Sequence, residues 1–156
     1  MKNYAYLSDY YRFIILRDHG GIYCDMDVEC FKPLDDLLDR SELLEREFIA
    51  GNTAYIGTAI MGFQKGHLFP LIVLDYYNHH AIIQDGKIPR DMTNQFIITD
   101  LRKYCATGLD IIPYGQFLLY NHERNPNGYT EHHADFTWGH QIEVLLHTQN
   151  NKDTIR

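Results

Sequence analysis

The sequence predicts an α/β fold with a mixed, mostly parallel sheet and flanking helices. Two observations carry this. Segments with helical period alternate with short apolar runs of strand type along the chain. The 156 residues, 45% hydrophobic and 13% aromatic, suit one ordinary core and exclude a disordered chain. We find no internal repeat, linker or low-complexity tract, and expect one domain over residues 1–147 with a polar tail at 148–156.

The first helix is expected from Ser8, as N-cap, with Asp9 at the first helical position, where the helix dipole favours an anion. The run Tyr10 to Leu16 has helical period, and Gly20 and Gly21 stop it, one of them in a left-handed position. Ile22-Tyr23-Cys24 reads as a buried strand, and residues 28–31 continue extended. Pro33 opens a short helix carrying Leu34, Leu37 and Leu38. Residues 48–50 and 59–63 read as strands, as do residues 109–112. Helices are expected at 67–79, with Phe69, Ile72, Val73 and Tyr76 on one face, and at 92–105. After Tyr120 the chain reads as polar loop, apart from a short apolar stretch at 142–146.

The net charge of −7, with no basic patch, points away from nucleic acid. The three cysteines, Cys24, Cys30 and Cys105, form no CxxC pair. With no signal peptide and no apolar run near membrane-spanning length, a cytoplasmic chain, at most peripheral at the inner membrane face, is expected.

Asp25-Met26-Asp27 directly follows the short apolar strand. Residues i and i+2 of an extended segment share one face, so both carboxylates can reach one hard cation. Strand ends in α/β sheets are also where ligands collect. A Mg²⁺ or Mn²⁺ held there can act as a Lewis acid on a departing diphosphate. By itself a D-x-D pair is common and nonspecific. Taken alone, His132 and His133 read as a solvated loop pair and Trp138 as core, while Tyr23 reads equally well as core and Asp9 as a helix-end anion. Arg12 can equally pair with Asp9 or Glu29 on the surface, while His19, His79 and His80 read as solvent-facing.

The ordered set Ser8-Asp9-x-x-Arg12, Gly20-Gly21-x-Tyr23-x-Asp25-x-Asp27, then Lys32-Pro33-Leu34-Asp35 resembles the DXD-containing sugar transferases of glycosyltransferase family 32 and their bacterial capsule and polysaccharide relatives. Ala59 to Phe63, Lys65-Gly66-His67 and Asp75-Tyr76-Tyr77 look like that family's next strand and helix. Tyr129, His132-His133 and Trp138 are similar to its C-terminal element. The resemblance implies a GT-A-like, Rossmann-like fold. It implies a retaining, metal-dependent transfer of a hexosyl unit from a nucleotide-sugar, such as a UDP-sugar, to a glycan or lipid-linked acceptor in polysaccharide biosynthesis. Asp9 and Arg12 match donor-sugar contacts, with Ser8 of the same motif and Tyr23 beside them as substrate-binding residues. Asp25 and Asp27 match the catalytic D-x-D pair, Asp27 holding Mn²⁺ or Mg²⁺ directly and Asp25 facing the sugar or ribose. His132 joins the metal ligands, and His133 and Trp138 the donor contacts.

The family pattern starts with a nucleotide-binding β-α-β segment ahead of the S-D-x-x-R helix, which this sequence does not show. A domain truncated at its N-terminal end is therefore expected, with an exposed sheet edge open to self-association or a partner chain. Two other readings stand beside this one. The chain could be a truncated, non-catalytic nucleotide- or sugar-binding module or subunit. Alternatively, Asp25-x-Asp27-x could be the first motif of a haloacid-dehalogenase-type phosphatase, with Asp25 as nucleophile.

Overall fold

The computed structural model describes residues 4–50, 53–80, 94–105, 111–112 and 127–133. Helix α1 spans Tyr4–His19 and leads through Gly20 into strand β1, Gly21–Cys24. A turn joins β1 to β2, Val28–Cys30, and a 3₁₀ turn follows at Asp35–Leu37. Strands β3 (Glu42–Ala50), β4 (Thr53–Ile56) and β5 (Ile60–Phe63) come next in the chain. Helices α2 (Leu68–His79) and α3 (Asn94–Leu101) follow, then a 3₁₀ turn at Arg102–Tyr104. Strands β6 (Ile111–Ile112) and β7 (Thr130–His132) complete the described elements.

The architecture is mixed α/β, as expected, but the sheet is not mostly parallel. Its order is β1-β5-β3-β4, with β6 on β3. β1 pairs with β5, and β3 with β4 and β5, all antiparallel, while β6 pairs with β3 in parallel. The reason is chain length. A parallel crossover needs a dozen or more residues, and the links from β3 to β4 and from β4 to β5 are far shorter. Gly51-Asn52 between β3 and β4 is the dipeptide type that joins a hairpin, a signal our reading of the sequence left unused. β2 and β7 form a separate two-stranded antiparallel ribbon.

Both faces of β5 are covered, which explains its unbroken apolar run. On one side Met61 and Phe63 join Phe13 and Leu16 of α1, Phe69 and Val73 of α2, and Ile98 of α3. On the other, Ile60 joins Leu37, Leu43 and Ile112, with Cys24, Val28 and Tyr129 packed alongside. The helices thus form one layer, and the 3₁₀ turn with the β2–β7 ribbon the other. The α2 face centres on Phe69, Val73, Leu74 and Tyr77, one step round from the expected stripe, and Ile72 and Tyr76 are half-buried.

Two other expectations need correction. α1 begins at Tyr4, so Ser8 is not its N-cap and Asp9 is not in its first turn. Instead the Ser8 carbonyl and hydroxyl both accept bonds from Arg12, one turn on. Residues 130–132 are a strand and not loop: the polar run Thr-Glu-His lacks apolar alternation, and its pairing with β2 defines it. Trp138, Met92, residues 142–146 and the tail at 148–156 lie outside the described residues.

α1 ends at two glycines with left-handed backbone, Gly20 (φ 71°) and Gly21 (φ 100°). A Cβ on Gly20 would meet the Lys65 backbone nitrogen at 2.6 Å, whereas one on Gly21 meets nothing within 4 Å. Gly21→Ala is expected to cost about 1 kcal/mol from backbone strain alone. Gly20→Ala adds a backbone clash and should cost roughly 2–4 kcal/mol. Urea unfolding of the two variants checks this ranking.

Candidate metal centre

The site lies where β1 leaves the main sheet and β2 joins the ribbon. The Asp25 amide donates to the Ala59 carbonyl (2.7 Å), extending the β1–β5 ladder to the first carboxylate. The Val28 amide then returns to the Asp25 carbonyl (3.1 Å), closing a turn whose apex, Met26, is fully exposed. Asp25 and Asp27 therefore converge through a turn and not through the alternation of a strand.

Across the ribbon, the His133 amide donates to the Asp27 carbonyl (2.9 Å) and the Phe31 amide to the Tyr129 carbonyl (2.8 Å). This register, with Val28 opposite His132, brings the His132 Nε2 to 3.3 Å from Asp27 Oδ1. Asp25, Asp27 and His132 each offer a ligand atom within 4.8 Å of the others. Two carboxylate oxygens and one imidazole nitrogen fit a divalent cation that keeps further positions open for phosphate. The donor set therefore fits the cation that the sequence implied.

Behind the turn stands Arg12, buried at 4% exposure. Its guanidinium donates to the Thr58 carbonyl (2.6 Å), pairs with Asp9 at 2.8 Å and lies 3.6 Å from Asp25. It also sits over the Tyr23 ring, 4.3 Å from the centroid. Of the surface pairings weighed for it, the one with Asp9 forms, but on a buried guanidinium, while Glu29 pairs with His133 instead. The Tyr23 hydroxyl donates to Asp25 Oδ1 at 2.5 Å. Burial pushes the Tyr23 phenol well above its ordinary value, and the Asp25 bond adds to this against the opposing Arg12 charge. The phenol thus stays protonated and remains a donor to Asp25 across the physiological range.

Ser8, Asp9, Arg12, Tyr23 and Asp25 thus form one connected group, and Asp27 with His132 adjoins it. His133 stands slightly apart, its Nε2 3.0 Å from Glu29 Oε2. Glu29 is a site neighbour that reasoning from motifs missed, although its place two residues after Asp27 on β2 was a usable signal. Tyr129, named in the C-terminal motif without a role, donates its hydroxyl to Asp36 (2.5 Å), and its ring lies under Lys32 Nζ. A cavity of about 300 Å³ lined by Tyr55, Tyr76, Phe96 and Asp100 lies elsewhere, between β4 and α3. None of the site residues lines it.

The phosphatase reading gains nothing from this geometry. β1 is only four residues long and antiparallel to its neighbour, and the Asp25 carboxylate is held by Tyr23 and Arg12 instead of standing free to attack. Among the described residues, no helix is long and apolar enough to cross a membrane.

Comparison with known proteins is consistent with this site. Residues 1–44 match the family model described as the glycosyltransferase sugar-binding region containing the DXD motif. The chain is 42% identical over 67 residues to inositol phosphoceramide mannosyltransferase 3 of Schizosaccharomyces pombe, covering 43% of this chain and 18% of the relative. It is 26% identical over 150 residues to inositol phosphoceramide mannosyltransferase 1 of the same organism, covering 92% of this chain and 45% of the relative. Over 37 residues it is 54% identical to an uncharacterized glycosyltransferase of Acanthamoeba polyphaga mimivirus, covering 24% of this chain and 15% of the relative. The chain thus spans less than half the length of each of these relatives. No solved structure matches it significantly. Together the family model and the two mannosyltransferases support placing the chain among the DXD-containing glycosyltransferases.

Proposed function

We propose that this chain carries the donor and metal site of a glycosyltransferase that moves a hexosyl unit from a nucleoside-diphosphate sugar to a hydroxyl of a glycan or lipid-linked acceptor. The observation that carries this is the convergence of Asp25, Asp27 and His132 at the end of β1. The relatives' names point to mannose as the sugar and to an inositol-phosphate sphingolipid as the acceptor class, in place of capsular polysaccharide.

Asp27 and His132 would hold a Mn²⁺ ion, with Asp25 completing its protein ligands. Bound there, the cation supplies Lewis-acid stabilisation of the charge that grows on the departing diphosphate. Asp25, fixed by the Tyr23 hydroxyl, would accept hydrogen bonds from donor hydroxyls. Arg12 orients the pair from behind, since its own donors are taken up by Ser8, Asp9 and Thr58. In the reaction the bond from the anomeric carbon to the diphosphate oxygen breaks. The acceptor oxygen bonds to that carbon on the same face, and its proton passes to the leaving diphosphate. Net retention follows with no carboxylate base.

Thermal unfolding with Mn²⁺, with UDP or GDP, and with both tests this reading. A ligand at about 100 times its dissociation constant adds roughly 2.7 kcal/mol. At this chain length that is a rise on the order of 5–10 °C. The rise should need metal and nucleotide together and should vanish in Asp27→Asn. A cooperatively folded native chain that neither nucleotide shifts would contradict the donor site.

The Tyr23–Asp25 bond yields a second expectation. Tyr23→Phe keeps the ring under Arg12 but removes the donor to Asp25. It should weaken metal-dependent nucleotide binding by about 5- to 30-fold, roughly 1–2 kcal/mol, with a smaller effect on unfolding in the absence of ligand. Isothermal titration with Mn²⁺ and nucleotide, beside ligand-free urea unfolding, checks the difference.

A further inference from the structure

The cavity between β4 and α3, about 300 Å³, shares no residue with the metal centre. Its walls come from three elements: Thr53 and Tyr55 of β4, Tyr76 of α2, and Phe96, Thr99 and Asp100 of α3. The Ile56 amide donates to the Thr99 hydroxyl oxygen (3.0 Å), which ties α3 to β4. The Tyr55 and Phe96 rings meet edge to face, 5.0 Å between centroids and 62° apart, and form an angled wall. The Tyr76 ring is backed by His80, stacked on it at 3.9 Å. Side chains fixed in this way lose little freedom when a ligand settles on them.

Two short stretches of chain connect this cavity to the metal centre. Tyr55 stands three residues before Thr58, whose carbonyl binds Arg12. Tyr76 precedes Tyr77, whose ring packs edge to face on Tyr10, next to Asp9. Three extended residues span at most about 11 Å, so the cavity lies at the Arg12 end of the site.

The lining selects its ligand by chemistry. Of the described lining residues only Asp100 is charged, so an anion meets no counter-charge there. Aromatic rings stand beside hydroxyls and a carboxylate. That combination suits a neutral ring with apolar C–H faces and a rim of hydroxyls. The volume is at the small end for ligand sites and takes one such ring. Asp100 pairs with Lys103 at 2.9 Å, but both side chains are more than half exposed, and such a pair contributes little. The carboxylate keeps lone pairs for ligand hydroxyls.

We propose that this cavity binds a single neutral polyol ring, a hexopyranose or an inositol, and seats the acceptor's ring next to the donor site. The Tyr55 and Phe96 rings take its C–H face, and Asp100 accepts from its hydroxyls. Ring binding stands on the cavity alone, and the acceptor role rests on the transferase reading proposed above.

The test follows the amide resonances of the full chain while methyl α-mannopyranoside or, separately, myo-inositol is added. The expected result is saturable shifts at Ile56, Phe96 and Thr99 with at least one compound, in the absence of metal and nucleotide. Binding of the mannoside alone assigns a glycan acceptor, of inositol alone a lipid headgroup, and of both the ring class they share. Asp100→Ala, at an exposed helical position, should weaken binding about fivefold or more. Phe96→Leu, which keeps bulk but removes the ring, should weaken it too, and urea unfolding verifies that both variants fold. No saturable shift with either compound, or affinities unchanged in both variants, overturns the site. With Mn²⁺ and nucleotide added, the paramagnetic ion should broaden the protons of the bound ring in the native chain and not in Asp27→Asn. A bound ring that is not broadened in a chain that holds Mn²⁺ overturns the acceptor role and leaves the ring site standing. A chain that binds the ring but no Mn²⁺ refutes the metal reading, and the acceptor role with it.

Discussion

A buried guanidinium organises the first 60 residues of this chain. Taking a charge out of water costs several kcal/mol unless its donors are met. Arg12, at 4% exposure, meets that demand from three directions at once. Its own helix supplies Ser8 and Asp9, the loop before β5 supplies the Thr58 carbonyl, and the β1 end supplies the Tyr23 ring and Asp25. α1 is thereby fixed against the end of the sheet where Asp25 emerges. The balance of charge matters too. Asp9, Asp25 and Asp27 set three carboxylates against one guanidinium, which leaves the cluster negative and suited to a cation.

Backbone hydrogen bonds complete what Arg12 begins. The main sheet positions Asp25 through Ala59, and the ribbon positions Asp27 through His133. The centre is therefore assembled from two sheets meeting at one turn. β7 brings His132 from more than a hundred residues away in sequence, and does so through register with β2 alone. The His132, Asp27 and Asp25 side chains are 13%, 26% and 29% exposed, so the ligand set is partly enclosed.

Much of the local structure was legible in the sequence because it depends on local rules. The glycine stop after α1, the short β1 run and the helix over α2 follow from period and punctuation. The sheet's direction was not legible from alternation of elements. It follows from the short links around β4, a strand hidden by its modest length and by an unused Gly51-Asn52 signal. β7 was invisible because Thr130, Glu131 and His132 are polar, and only pairing with β2 makes them a strand. In the site, the D-x-D pair could be named from its motif, but its convergence was attributed to strand alternation when a turn produces it. The role of Arg12 was the least legible. A motif names an arginine, and only packing reveals that its donors turn inward.

The central claim is that Asp25, Asp27 and His132 hold one divalent cation that carries a nucleoside diphosphate. Anomalous diffraction from crystals grown with Mn²⁺ and GDP or UDP tests it most directly. The account predicts a single strong manganese peak between the Asp27 carboxylate and the His132 Nε2, bridged to the diphosphate, with Asp25 still held by Tyr23. A nucleotide bound without metal at this turn, or manganese bound only elsewhere on the chain, would contradict it.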